Sequence, residues 1–167
     1  MDLWVIDGDT EIAVELKYKT KKVHLRYGGE QFALQDHSAQ DLGRYDFVKD
    51  IERLESVVEA GRQVVGYAII LTNDSNYWTV SRKNDPVDAE FRIHEGRVLA
   101  GQLSWDPSAS QGTTRGRTGS IHLTGSYRLA WRDYSTVDAQ KQSGFRCALV
   151  RVSGEQSSFP RKMKAYV

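Results

Sequence analysis

Several features that mark particular classes of protein are scarce in this sequence. Its single cysteine, Cys147, excludes an internal disulfide and any zinc site built from several cysteines, and is typical of a protein in a reducing cytosol. The four histidines do not have the spacing of metal ligands. We therefore expect neither a disulfide-stabilised scaffold nor a metal centre made of histidine and cysteine.

Long apolar runs and a strong net charge are also lacking. No stretch approaches the roughly 20 apolar residues of a transmembrane helix, and the N-terminus does not have the charged-then-apolar pattern of a secretion signal. The sequence therefore predicts a cytoplasmic protein. The net charge of +1 indicates no partner by itself, so nucleic-acid binding would require basic groups clustered on one face.

What the chain does contain is enough material for one domain. A length of 167 residues, with 40% hydrophobic and 27% charged residues, is ordinary for a globular protein that buries its own core. No internal repeat or linker divides the sequence. We predict a single domain over residues 1–167, with a core at 2–78 and a β-rich extension at 79–167.

Two β-hairpins and a helix are predicted in the first 60 residues. Each hairpin joins two short segments through a glycine-containing turn, residues 3–6 with 12–16 and residues 23–27 with 30–34. The helix is predicted at 39–60, capped by Ser38 with Asp41 and ended by Gly61. Its apolar stripe consists of Phe47, Val48, Ile51, Leu54 and Val58, whereas Asp50, Glu52 and Arg53 lie off it.

The run at residues 64–71 is apolar without alternation, which predicts a central strand parallel to an earlier one. Hairpin, helix and strand together predict an α/β (α+β) fold with a mixed central sheet and one long helix. In the second half we predict strands at 98–105, 120–131 and 145–152. A mobile loop is predicted at 106–120, where Arg115 and Arg117 could contact DNA, and the tail after Gly154 is expected to be loosely held.

The first hairpin brings charged residues together. With the predicted turn as its loop, opposed residues have numbers that sum to 17, so Asp2 faces Glu15. Lys17, two residues further on, projects to the same side. Two adjacent carboxylates repel unless a positive group lies between them, and Mg²⁺ held by one or two carboxylates would serve. Such an ion can activate a water molecule and neutralise charge on a phosphodiester.

This arrangement resembles the PD-(D/E)XK superfamily of restriction-endonuclease-like nucleases, in which an Asp on one strand precedes Glu-x-Lys on the next. Residues 39–47 and 71–78 are similar to segments of an uncharacterised bacterial branch of that superfamily. The resemblance implies a restriction-endonuclease-like fold, a DNA substrate, and Mg²⁺ or Mn²⁺ as cofactor. It also implies that Asp2, Glu15 and the Leu16 carbonyl bind the metal, with Lys17 as catalytic base or oxyanion partner.

The predicted helix has polar residues at the N-terminal end of its buried stripe. Gln40 and Arg44 lie there, and polar groups on a core-facing stripe must find partners, which a catalytic pocket would provide. By the same resemblance, Gln40 would assist catalysis near the metal, and Arg44 and Tyr45 would contact substrate phosphate. Alternatively, Arg44 forms an ion pair with Asp41 or Asp36.

Structural alternatives stay open for the other charged residues. Lys19 and Lys21 continue the face of Lys17 and could follow the phosphates of a substrate, with Lys19 the closer of the two. Lysines in such a row also protect edge strands from unwanted pairing. Glu-x-Lys by itself is a common pattern, and Glu15 with Lys17 could be the solvated face of an edge strand. Their predicted position opposite Asp2, together with the helix and strand that follow in the sequence, favours an active site.

The resemblance further implies a helix and a strand before the first Asp, whereas Asp2 stands at the start of this sequence. We therefore expect a truncated gene start, a loss of these elements, or a partner protein or second copy of the chain that supplies them. The leading functional hypothesis is a Mg²⁺-dependent deoxyribonuclease in defence or DNA processing. The alternative is a catalytically inactive nuclease-fold subunit that binds DNA or protein within a larger assembly.

Overall fold

The computed structural model describes residues 1–61, 63–82, 84–137 and 142–154, which form a mixed α+β structure. Along the chain its elements are β1 (Leu3–Asp7), β2 (Thr10–Lys19), β3 (Val23–Tyr27), β4 (Glu30–Leu34), α1 (Gln40–Ala60), β5 (Val64–Thr72), a 3₁₀ turn (Ala89–Phe91), β6 (Val98–Leu103), α2 (Gln111–Thr114), β7 (Ile121–Arg128), β8 (Trp131–Thr136) and β9 (Gly144–Ser153). No helix in these ranges is long and apolar enough to cross a membrane.

A five-stranded sheet with the order β1-β2-β5-β9-β8 forms the centre of the structure. Strand β5 lies in the middle, parallel to β2 and antiparallel to β9. A parallel pair needs a crossover connection, and α1 lies within the one that joins β2 to β5. The central, parallel strand predicted from the apolar run at 64–71 is therefore confirmed.

Both predicted hairpins are present. In the first, Trp4 lies opposite Ala13, as the predicted register requires. In the second, Val23 lies opposite Leu34, and β3 and β4 form a separate two-stranded sheet. The turn of the first hairpin contains Gly8 at φ 60, a conformation that glycine adopts without strain.

Helix α1 covers one face of the central sheet with the predicted apolar stripe. The stripe side chains are buried, and four of the five have no exposed surface. Burial of each such side chain stabilises the fold by roughly 1.5–3 kcal/mol. The stripe therefore fixes the rotation of α1 and so the side chains that it presents to β2.

The predicted cap of α1 is wrong. The N-cap residue is Ala39, which has a left-handed backbone (φ 66) and no side-chain capping hydrogen bond. Asp41 instead accepts a hydrogen bond from the Leu42 N–H at 2.8 Å. Gly61 ends the helix as predicted, and its N–H donates to the Val57 carbonyl at 3.1 Å.

The second half of the chain divides between two sheets. Strands β6 and β7 pair with each other, and β7 packs against α1, whose Glu52 and Glu55 accept hydrogen bonds from the backbone of β7. Strands β8 and β9 extend the central sheet. The single strand predicted at 120–131 is therefore wrong in extent, because the buried Leu129 separates β7 from β8 and bonds to the Arg97 carbonyl at 2.8 Å.

The segment predicted as a loop at 106–120 contains the short helix α2 and a fixed arginine. Arg117 donates two hydrogen bonds to the carboxylate of Asp46 on α1, at 2.6 and 2.8 Å. This end of the segment is thus attached to the helix. The tail predicted after Gly154 lies outside the described residues.

The face of the central sheet opposite α1 is only partly covered. Leu16, Tyr18 and Leu149 project from inner strands on this side and are each about half exposed. The second hairpin packs over one end, where Leu25 meets Phe145. Alternation along β2 therefore sends the odd-numbered residues near its end towards α1 and the even-numbered ones towards this open face.

Candidate functional site

The Asp2 carboxylate is anchored to the backbone of β2. Its Oδ2 accepts a hydrogen bond from the Leu16 N–H at 2.7 Å, and the Asp2 N–H donates to the Val14 carbonyl at 3.1 Å. The hydrogen bond from Leu16 is the main reason that the pKa of Asp2 lies below its usual value, and the nearby Lys17 ammonium acts in the same direction. Asp2 is thus held as an anion beside Glu15.

The Glu15 carboxylate is buried beneath α1, with only 1% of its side chain exposed. Its Oε1 lies 3.0 Å from Arg53 Nε and 3.0 Å from the amino nitrogen of Met1. A buried carboxylate is strongly unfavourable unless a positive group compensates it. Arg53 on α1 and the amino group of Met1 provide this compensation.

Lys17 meets a second carboxylate from α1. Its Nζ lies 2.7 Å from Oδ2 of the buried Asp50, whose other oxygen pairs with Arg53. Lys17, Asp50, Arg53 and Glu15 thus form a chain of alternating charges, the β2–α1 charge cluster. Asp50 was predicted to lie off the buried stripe, but it is buried, because it lies one turn before the core residue Leu54 and faces the sheet.

The oxygen atoms at this site are of the kind that a hard cation prefers. Mg²⁺ typically takes one or two carboxylates and keeps several waters, and Asp2 and Glu15 provide two carboxylates next to the Leu16 backbone. Glu15 Oε1 is buried and accepts no hydrogen bond of good geometry, so only ion pairs balance its charge. A divalent cation could replace the cations of these ion pairs. Within the described residues, His, Cys, Asp and Glu form no group of three or more that could hold a metal. Water would therefore supply most ligands of a cation bound here.

Gln40 lies at the other end of α1 from the β2–α1 charge cluster. Its Nε2 donates a hydrogen bond to Asp74 Oδ2 at 2.9 Å, just after the end of β5. Ten residues separate Gln40 from Asp50, which corresponds to about 15 Å along a helix axis. The structure therefore does not bring Gln40 to Glu15 and Lys17.

Arg44 and Tyr45 have partners inside the protein. Arg44 Nη1 lies 2.6 Å from the buried Asp88 carboxylate, and burial, partly offset by that carboxylate, lowers the pKa of Arg44. An internal ion pair was the alternative expectation for Arg44, and Asp88 replaces the two predicted partners. The Tyr45 hydroxyl donates to the Gly119 carbonyl at 3.0 Å, and its ring stacks on Trp105. Neither side chain is open to a phosphate group.

The predicted row of lysines is divided by its partners. Lys17 is bound to Asp50, and Lys21 lies 3.8 Å from Asp36 in a partly exposed pair. Lys19, half-buried at the end of β2, has no ion-pair partner among the residues that the structure describes. Of the row, only Lys19 thus keeps a free ammonium group.

No family model, curated protein or solved structure is detectably similar to this chain.

Proposed function

We propose that the chain is a metal-dependent nuclease of the PD-(D/E)XK type that hydrolyses phosphodiester bonds of DNA. The observation that carries the proposal is the pairing of β1 with β2. It holds the Asp2 carboxylate at the Leu16 N–H, next to Glu15. Lys17 projects from the same side of β2. A restriction-endonuclease-like fold is part of the proposal. The crossover through α1 to the parallel strand β5 supports it. We also place the protein in the cytoplasm.

In this proposal the carboxylates of Asp2 and Glu15 and the Leu16 carbonyl hold Mg²⁺ or Mn²⁺. The bound ion would activate a water molecule and neutralise charge on the phosphate. Lys17, whose ammonium group is held by Asp50, would stabilise the negative charge that develops on the phosphate. A fixed cation is effective there because it needs no rearrangement during the reaction.

Arg53 is the residue that must respond when a cation binds. It is 49% exposed, so its guanidinium can leave Glu15 and turn towards a substrate phosphate while it keeps Asp50. Lys19 adds an unpaired positive charge beyond Lys17 on the same side of β2. Gln40, Arg44 and Tyr45 are not assigned to catalysis, because each has an internal partner.

A cleavage assay tests the proposal. Single- and double-stranded DNA are incubated with the protein in Mg²⁺, in Mn²⁺ or in EDTA, and we expect cleavage only with metal. Glu15→Gln and Lys17→Met should each lower the rate by roughly a hundred-fold or more. Lys49→Met is the matched control, since Lys49 is an exposed lysine paired with Glu52 on α1. Parental cleavage by Lys17→Met would sink the catalytic assignment.

The second candidate function is a nuclease-fold subunit that binds DNA or protein without cleaving. It is favoured by the β2–α1 charge cluster, in which Arg53 and Lys17 already compensate Glu15 and Asp50. Calorimetric titration with Mn²⁺ distinguishes the two functions. Metal binding by the parent that Glu15→Gln abolishes supports the nuclease, whereas DNA binding without any metal binding supports the inactive subunit.

A further inference from the structure

Strand β1 forms one edge of the central sheet and is exposed along its whole length. It pairs with β2 on one side, and among the described elements it contacts no other. Its outer side therefore presents backbone N–H and C=O groups that no described strand pairs with. The four side chains from Leu3 to Ile6 are all apolar and are 38–71% exposed. An edge of this kind is a template for pairing with a further strand.

The opposite edge strand, β8, is protected against such pairing. Arg132 and Asp133 place charges on it, and its register with β9 shifts between Asp133 and Ser135. Charged residues and bulges are devices that keep edge strands from pairing. From Leu3 to Ile6, β1 has no charged residue and no proline, and its register with β2 is regular. Of the two edges of this sheet, β1 is thus the one suited to accept a strand.

The helix side of β1 has no covering layer. Trp4 lies opposite Ala13, which is buried in the core with the apolar stripe of α1, so Trp4 and Ile6 project on the helix side of the sheet. Within the described residues, however, no part of α1 lies against β1. The Trp4 indole N–H already donates to Glu11 at 2.9 Å, which leaves the ring as apolar surface.

A second copy of β1 fits this edge in an antiparallel register centred on Val5. A two-fold axis perpendicular to the sheet keeps each residue on its own face and places Val5 opposite Val5 of the second copy. On the helix side, Trp4 of each copy then lies opposite Ile6 of the other. These are pairs of an aromatic with a β-branched side chain, which are favourable across neighbouring strands.

The same register keeps the carboxylates at the ends of β1 apart. Asp7 lies opposite Leu3 of the second copy and Asp2 opposite Gly8, so no acid directly opposes another. A register displaced by one residue would bring Asp2 opposite Asp7 and would turn the apolar side chains to the wrong face. The edge is thus complementary to itself in both apolar side chains and charge, which favours a second copy over an unrelated strand.

We propose that two copies of the chain associate through their β1 strands, which join the two central sheets into one continuous sheet of ten strands, five from each copy. This contact is independent of the proposed nuclease activity and requires no metal. It places the edge strand of the second copy alongside Asp2, so the candidate site lies next to the dimer interface. A contact made by one pair of short strands is small, and we therefore expect a dissociation constant in roughly the micromolar range.

Sedimentation equilibrium in EDTA tests the inference, since a metal ion cannot then bridge two copies. We expect a monomer–dimer equilibrium that shifts to the dimer at high micromolar concentration. Val5→Lys and Val5→Glu place like charges opposite each other at the two-fold axis, and each should weaken the dimer roughly ten-fold or more. An equimolar mixture of these two variants should restore the dimer, because lysine then faces glutamate. Tyr134→Lys is the matched control, since Tyr134 is an exposed residue on the other edge strand.

Hydrogen exchange locates the contact in the parent protein. The backbone amides of residues 3–7 should exchange more slowly as the protein concentration rises, whereas those of β8 should not change. This measurement also decides the question if circular dichroism shows that a Val5 variant does not fold.

Three results would overturn the inference. The first is a monomer at every concentration, which would leave the edge to a strand of another protein. The second is a dimer that both charged Val5 variants leave unchanged, or whose formation does not protect residues 3–7. The third is a pair of folded, monomeric variants whose mixture stays monomeric, since that result excludes a two-fold axis at Val5.

Discussion

Helix α1 carries two ion-pair clusters, each with an arginine of the helix on a buried carboxylate, that differ in their access to solvent. In one, Arg44 pairs with Asp88, both side chains are at most 4% exposed, and Arg92 binds the same carboxylate. In the other, Arg53 pairs with Glu15, and Arg53 is 49% exposed. One cluster is closed to the solvent, and the other is open on its positive side.

This difference separates a structural ion pair from one that can exchange its partner. A closed pair cannot give up either charge without leaving the other buried and uncompensated. An open pair can release its arginine, because water or a substrate can solvate the departing guanidinium group. The contrast predicts that charge removal at Asp88 mainly affects folding, whereas charge removal at Glu15 mainly affects ligand binding.

The largest expected effect is that of Asp88→Asn. The change removes the negative charge that Arg44 and Arg92 share, so we expect a loss of roughly 3 kcal/mol or more in the free energy of unfolding. Urea denaturation followed by circular dichroism measures it. Asp133→Asn removes the exposed partner of Arg146 and should change stability by less than about 1 kcal/mol. Equal losses in the two variants would contradict the closed character of the Asp88 cluster.

Glu15→Gln is the matched change in the open cluster and should have a smaller effect on stability. Glutamine keeps the shape of the side chain, and Arg53 can turn to the solvent while it keeps Asp50. We therefore expect a loss of about 1 kcal/mol in the same denaturation experiment. A loss as large as that of Asp88→Asn would show that the two clusters are alike and would remove the basis for the contrast.

The smallest effect concerns pH and Asp2. Its folded-state pKa lies below the ordinary value of 3.8, mainly because the carboxylate accepts the Leu16 N–H. A depressed pKa stabilises the fold at pH values above 3.8, and this contribution is lost as the pH falls through the folded-state pKa. Because Asp2 is exposed, we expect less than about 1 kcal/mol.

Denaturation of the parent and of Asp2→Asn across pH 2–7 checks this expectation, since the difference between them should shrink towards the acid end. A difference that grows as the pH falls would contradict the assigned cause.

The parts of the fold that depend on local spacing were predictable from the sequence. The register of the first hairpin follows from the length of its turn, and the buried stripe of α1 follows from helical periodicity. Contacts between distant segments were not predictable. The partner of Arg44 lies 44 residues further along the chain, and the single strand expected at 120–131 is divided because its two halves belong to different sheets.

For the candidate site, the strand residues were predicted and the helix residues were not. The positions of Asp2, Glu15 and Lys17 depend only on the pairing of neighbouring strands. The contribution of Asp50 and Arg53 depends on how α1 lies on the sheet, which is determined by the packing of the whole core. The predicted position of Gln40 near the metal depends on the same packing. In the structure the end of β5 brings Asp74 to Gln40 instead.

The central position of β5 has a consequence for the order of folding. Its pairing with β2 joins Glu11 to Val64, and its pairing with β9 joins Val65 to Ser153, so both neighbours come from distant parts of the sequence. Hairpins and helices close short loops and form quickly, whereas pairings of this kind are slow. A chain emerging from the ribosome can form both hairpins and α1 early. It cannot complete its central sheet until the segment that contains β9 has been synthesised.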